Sequence, residues 1–395
     1  MKKLVLVICL SLSTQLFAFN WNLPPVQEEI MGESENITSD NSLGEIMTKD
    51  NSVVIESTDV VTGDVVTLEQ PINSTPMPYI DRIKVALLVP QKVIGRYASS
   101  VSNSIISYLL FRDIDFQFEV FDSKTEDDLA LVEELEKIKQ KGYQLVIAPV
   151  TEKGASVIVA NERELLVYIP TINKKDMFLK SQNIFFGGID YEKQIEKLLE
   201  FAGERIAIFS DKSRLAQKLD MYVESSSFSE IAFKREIANT KANISHLFRK
   251  NYKLNDASIF LNLPLVATSL VASQLSLYHV NYQNILSTQI NYSPLLLTLT
   301  QPKDRELMYI ANSISESDMK LKDINLLFGN NISFSWIDYS ASIGIDYLLG
   351  TFTSLGLNRV THEEMISNQV HYEVGIVLPQ RSSFKKLDVV KKFDF

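Results

Sequence analysis

Few residues of this chain have both the type and the spacing that chemistry needs. His246, His279, His362 and His371 show no metal-ligand spacing. His362-Glu363-Glu364 begins like the zinc-protease helix motif, but Ile366 stands where the second histidine must fall. Gly154-Ala155-Ser156 lacks the second glycine of a nucleophile elbow. There is no G-x-G-x-x-G and no Walker loop. The acid pairs Asp127-Asp128 and Glu133-Glu134 fall on a solvated helix face. Cys9 is the only cysteine, and it lies in an apolar leader. Ile8 precedes it, where a lipid-modified cysteine needs a small residue. A mature chain without cysteine excludes disulfides, thiolate catalysis and cysteine-ligated zinc. No nucleophile, base and oxyanion site assemble, so the chain reads as a non-enzyme with no cofactor and no metal.

Binding chemistry is the better prospect. In open α/β sheets ligands sit at the C-terminal ends of the strands, and in two-lobed forms they sit in the cleft between lobes. On that rule the candidates in the first half are Gln91, Arg96 and Tyr97, then Thr151 and Glu152, then Thr171 and Asn173. Asp211 and Ser287 face them from a second lobe. Arg96 could pair bidentately with a carboxylate, and Tyr97 could stack on a ligand.

The elements that must position these residues follow from the apolar pattern. Ile83–Val89 (IKVALLV) is a nearly continuous apolar run, as in a strand buried on both faces. Tyr97, Val101, Ile105 and Tyr108 recur at helical spacing. Phe116–Phe121 alternates like a strand. Thr125 and Asp128 predict a capping box for a helix that buries Leu129, Val132, Leu135 and Ile138 and ends at Gly142. Strands follow at 145–148, 165–169 and 184–186, with a helix near 154–162. After Gly187-Gly188 a second series begins: a helix through Ile195 and Leu198, a strand at 205–209, and a helix through Leu215, Leu219 and Tyr222. Strands at 231–237 and 258–261, a helix at 265–277 and a strand at 284–287 complete it. Alternating apolar strands and helices predict an α/β chain of two doubly wound parallel-sheet lobes with a hinge.

Charge is unevenly placed. The 395 residues hold 39 Lys plus Arg and 49 Asp plus Glu, a net charge of −10. Residues 21–80 carry eleven acids and one base, so they alone account for that figure, whereas 81–395 sum to −2. Such a balance argues against nucleic-acid binding, which needs a basic surface. Lys2, Lys3 and the apolar Leu4–Leu12 read as a secretory signal over 1–18, too short to span a bilayer. No later stretch offers 18 consecutive apolar residues, so a mature chain in the periplasm with no transmembrane segment is expected. Residues 19–80, rich in Ser, Thr, Asn and acids, read as a mostly disordered, flexible acidic N-terminal arm. A short hairpin is possible around Thr62-Gly63.

Several segments in order resemble the type I periplasmic binding proteins over residues 81–395. Ile83–Pro90 resembles that family's first strand with its proline exit. Lys141–Thr151 (KGYQLVIAPVT) resembles the strand that ends in a Gly-Pro turn, here Ala148-Pro149. Tyr168–Asn173 (YIPTIN) is similar to the next strand, and Arg205–Ser210 (RIAIFS) to the first strand of the second lobe. Ser335–Leu349 resembles the late helix that carries a Tyr-Asp pair. Two branches are close: solute-binding proteins of ATP-driven importers, and the binding-protein-like domain of penicillin-binding protein activators. Asp256–Gln274 is more similar to the activator branch, and Gln369–Leu378 sits where that branch has a terminal hairpin. The resemblance implies lobe 1 over about 82–188 plus 312–355, and lobe 2 over about 189–311 plus 356–395.

The loop after the first strand, Gln91–Tyr97, is bulky where ligand-binding members have small residues. The chain has 14 glycines, about half the usual ~7%, and so few places where backbone amides can approach a ligand closely. The expected function is a non-catalytic periplasmic interaction or regulatory protein, with a place in cell-envelope assembly as the activator branch implies. The alternative is a solute-binding receptor for a small polar ligand such as an amino acid or peptide fragment. The partner is accordingly an envelope protein or a small molecule.

Overall fold

The computed structural model describes residues 83–178, 181–237 and 243–387. The leader, the acidic arm and the 53–66 hairpin expected from sequence lie outside the described residues.

The first lobe begins with β1 (Ile83–Val89), α1 (Gln91–Ile94), α2 (Tyr97–Phe111), β2 (Phe116–Asp122), α3 (Asp128–Gln140) and β3 (Leu145–Ile147). It continues with α4 (Glu152–Asn161), β4 (Leu166–Ile169) and β5 (Ile184–Phe186). The chain then builds α5 (Tyr191–Leu199), β6 (Arg205–Ser210), α6 (Arg214–Ser226), β7 (Glu230–Glu236) and β8 (Ser258–Asn262). Next come α7 (Leu265–Leu277), β9 (Asn284–Ser287), α8 (Pro294–Leu299) and β10 (Met308–Asn312) of the second lobe. It returns to the first lobe for α9 (Met319–Leu327), α10 (Trp336–Phe352), β11 (Glu364–Ile366) and β12 (Gln369–His371). It ends in the second lobe with β13 (Gly375–Pro379) and β14 (Phe384–Lys386).

Each lobe holds a seven-stranded sheet, ordered β11-β12-β5-β4-β3-β1-β2 and β14-β13-β10-β9-β8-β6-β7. In the first sheet six strands are parallel and β11 closes one edge antiparallel to β12; in the second, five are parallel and β13 and β14 close one edge in antiparallel pairs. β1 is apolar at nearly every position because both of its faces are covered. Val85, Leu87 and Val89 pack under α2 and α10, while Ala86 and Leu88 pack under α3 and α4. β6 repeats the pattern, with Ala207 and Phe209 toward α7 and Ile206 and Ile208 toward α5 and α6. This period of two is what a central strand between helix layers requires.

Three expectations change. No capping box forms at Thr125. Asp127 is the N-cap of α3, Thr125 Oγ1 donates to its Oδ2 at 2.8 Å, and the buried face is Leu131, Leu135 and Ile138, with Leu129 exposed. Residues 369–378 are no hairpin, because β12 and β13 belong to different sheets. For the same reason the return to the second lobe falls after His371 and not at 355/356. Asp346, fully buried on α10, ties the segment before β11 to the first lobe. It accepts from the Val360 N–H at 2.9 Å, from the Thr361 N–H at 3.1 Å and from Tyr108 Oη, and it pairs with Arg359 and Arg112. These bonds fasten residues 359–361 to the first lobe and feed β11 into its sheet.

The first crossing passes through Gly187-Gly188, where glycine is required by close packing. A Cβ on Gly187 would lie 2.0 Å from Tyr168 Oη, and one on Gly188 would lie 2.2 Å from the Ile172 carbonyl carbon. The Gly187 carbonyl accepts from Tyr372 Oη at 2.8 Å and from Ser340 Oγ at 3.0 Å. The first and third crossings are therefore bonded to each other.

Candidate functional site

A doubly wound sheet opens its crevice where neighbouring strands run to opposite sides. In the first lobe that point lies between β1 and β3, and in the second between β6 and β8. The turn after β3 leads into α4, whose first-turn amides would suit an anion. They are already engaged. The Thr151 N–H donates to Glu126 Oε1 at 2.6 Å, the Gly154 N–H donates to Glu126 Oε2 at 3.2 Å, and Thr151 Oγ1 donates to the same carboxylate. Glu126, from the loop before α3, is 4% exposed. Gly154 makes room for it, since a Cβ there would lie 2.8 Å from Glu126 Cδ.

The nine residues expected to line the cleft divide sharply. Thr171 Oγ1 donates to the Val150 carbonyl, which ties the end of β4 to the α4 turn. Asn173 is buried; its Nδ2 donates to the Gly188 carbonyl at 3.2 Å and its Oδ1 accepts from the Lys175 N–H at 3.1 Å. It serves the crossing. Ser287 is fully buried, donates to the Leu261 carbonyl at 3.1 Å and accepts from Asn291 Nδ2 at 2.8 Å. It presents nothing to the cleft. The Gln91 N–H donates to Asp122 Oδ1 at 3.1 Å. Asp211 accepts from the Ser213 N–H at 2.9 Å and borders an acidic hollow of about 320 Å³ shared with Asp220, Glu224, Glu236 and Lys234. Arg96 and Tyr97 come together on a different cavity, of about 410 Å³, between the start of α2 and the turn from α9 into α10.

Charged side chains bridge the lobes. Lys218 on α6 reaches Asp176 of the first lobe at 2.5 Å. Burial works against the charged form of Lys218, but the hydrogen bond and charge of Asp176, with Glu152 adding to them, raise its pKa overall. Lys175 likewise holds Asp190 and, at 2.8 Å, Glu192 where α5 begins. Tyr222 of α6 lies 5.9 Å by its ring centroid from each of these lysines. On another edge Phe334 of the first lobe packs on Tyr292 and Phe384 of the second, at 5.0 and 5.9 Å between ring centroids. Burial pushes the Tyr191 phenol up, and Tyr97 across the lobes adds to the shift.

Glu126, Asp176 and Lys218 were not singled out from the sequence. Glu126 stands beside Asp127 and Asp128 and looks like one more surface acid; only its burial sets it apart. Among the described residues no cluster of His, Cys, Asp or Glu could hold a metal ion. Also among them, no helix is long and apolar enough to cross a membrane.

No family model matches the chain, and no curated protein sequence matches it. Solved structures do. An ABC transporter substrate-binding protein from Sphaerobacter thermophilus superposes with a TM-score of 0.59 at 10% identity, over 78% of this chain and 97% of that one. LivJ, the branched-chain amino acid transporter substrate-binding protein of Streptococcus pneumoniae, in complex with isoleucine, gives 0.54 at 10% identity, over 78% and 99%. Full-length LpoA from Haemophilus influenzae gives 0.54 at 11% identity, over 80% of this chain and 60% of that one. The C-domain of the same protein, described as a regulator of PBP1A, gives 0.51 at 11% identity, over 77% and 99%. Sheet order, three crossings and these likenesses agree: the chain has the type I periplasmic-binding-protein fold, shared by importer binding proteins and by the binding-protein-like domain of a penicillin-binding protein activator.

Proposed function

We propose that the protein is a non-catalytic interaction or regulatory protein of the periplasm, working in the cell envelope through its surface and not through a solute held in its cleft. The observation that carries this is the Glu126 carboxylate on the first turn of α4. The position where such a sheet would take an anionic ligand is filled by the chain's own acid, with both oxygens bonded. The ion pairs across the cleft and the internal bonds of Thr171, Asn173 and Ser287 support the same reading. The bulky Gln91–Tyr97 loop supports it too.

Photo-crosslinking from surface positions of the first lobe, in intact cells, tests the proposal. The expected result is one discrete envelope protein, captured equally in minimal and in rich medium. Capture of no envelope protein would overturn the reading. So would a crosslink only to a membrane importer that depends on added solute.

A further inference from the structure

The cavity bordered by Arg96 and Tyr97 is outside the Glu126-filled turn, and its chemistry is specific. Arg96 is exposed at the start of α2, with its guanidinium 5.8 Å from the Tyr97 ring centroid. Among the described residues no carboxylate pairs with it. The walls add Phe328 and Ile337 as apolar surface. They also add Asn103, with one of its two amide N–H groups engaged, and Asn330, with both engaged. Asn103 Nδ2 donates to the Phe328 carbonyl at 3.0 Å. Asn330 Nδ2 donates to the Ser100 carbonyl at 2.7 Å and to Ser104 Oγ at 2.8 Å. Asn330 leaves a ligand its acceptor oxygen, and Asn103 leaves its oxygen and one N–H. Asp338 lies buried beneath Ser100 and Ser335 and offers no accessible carboxylate.

A ligand that satisfies these walls brings an anion to Arg96, N–H donors to Asn103 and Asn330, and an apolar side chain to Tyr97, Phe328 and Ile337. We propose that this cavity takes the C-terminal carboxylate and last apolar side chain of an extended peptide, the chain end of a protein partner. Arg96 grips the carboxylate as a two-pronged donor, and the main-chain N–H groups before it meet the two asparagine oxygens. A volume of about 410 Å³ lies within the roughly 300–1,000 Å³ of small-ligand pockets. The proposal rests on the interaction reading above and names the chemistry of the partner's contact.

The test is calorimetric titration of the full chain with acetyl-Ala-Ala-Phe as the free acid and as its carboxamide. The acid is expected to bind at least about tenfold more tightly than the amide, the size of one lost charge-assisted bond. Arg96→Ala should weaken the acid by a similar factor and leave the amide unchanged, and Arg96→Lys should retain part of the difference. Because Arg96 is exposed, a melting curve unchanged by Arg96→Ala verifies that the variant folds. Equal binding of acid and amide, indifference to Arg96→Ala, or no binding at millimolar peptide would overturn the inference. So would Arg96-dependent binding of glucuronate without binding of peptide, which would mark an acidic-sugar site. Free leucine bound with an affinity that Arg96→Ala leaves unchanged would overturn the interaction reading instead, because that ligand would sit elsewhere.

Discussion

The Thr151 N–H donates to Glu126 Oε1 at 2.6 Å, so a carboxylate from the loop before α3 closes the first turn of α4. Removing it strands the buried Gly154 N–H and leaves the N–H and hydroxyl of Thr151, an exposed residue, without their partner. Glu126→Ala should cost about 2–3 kcal/mol of stability in urea unfolding, while Glu126→Gln, which keeps one acceptor, should cost less. Equal losses in the two variants would contradict this, because Gln keeps both the volume and one acceptor.

Asp346 has a fully buried side chain beside Arg112 and Arg359. Breaking a buried charge pair from one side leaves the other charge uncompensated, at about 3–5 kcal/mol. Asp346→Ala should therefore be severely destabilising. Hydrogen exchange at Val360 and Thr361, whose N–H groups Asp346 accepts, should accelerate more than exchange in β6.

Burial raises the Asp338 carboxyl above its ordinary range, against the pull of hydrogen bonds from Ser335 and Ser100. The folded chain then holds a proton that the unfolded chain has released. In the pH window between the ordinary carboxylate value and the raised one, stability must fall as pH rises. Asp338→Asn removes that slope and should be as stable as the native chain, or more so, above the window. Urea midpoints for both chains, followed upward from the ordinary carboxylate value of about pH 4, check this; parallel profiles would contradict it.

Gly187 sits where a Cβ would lie 2.0 Å from Tyr168 Oη and 2.5 Å from Ser340 Oγ. Gly187→Ala must push apart the first crossing and α10, at about 1–3 kcal/mol or more. Lys218→Glu sets like charge against Asp176 and Glu152 across the lobes. A partly exposed pair contributes little to stability, so the expected change is in shape: a larger radius of gyration by small-angle scattering, with a melting temperature close to native.

Apolar runs made much of the fold legible. β5, α7 and β9 fall where the sequence places them, and β1 is recognisable because a strand covered on both faces must be apolar throughout. The final quarter was harder to read. β11 and β12 are three-residue strands with one buried residue between them, Val370. Their membership of the first sheet rests on partners distant in sequence: Gln369 pairs with Phe186, and Asp346 bonds residues 14 and 15 positions away. The site was less legible for a related reason. Thr151 and Thr171 do stand at strand ends, but whether a strand-end hydroxyl faces a ligand or its own lobe depends on partners distant in sequence. Glu126 is 25 residues from Thr151, and nothing in its neighbourhood distinguishes it from Asp127. Ser287 ends β9 as expected, yet Leu261 and Asn291 enclose it.

The most direct measurement of the central claim is the melting temperature of the full chain with saturating free amino acids, isoleucine included. A ligand at 100 times its dissociation constant adds about 2.7 kcal/mol to stability. With Glu126 seated on α4, no amino acid should shift the curve of the Arg96→Ala chain, in which the peripheral cavity has lost its anion donor. A saturable rise that persists in that chain would contradict the account and return the cleft to solute binding.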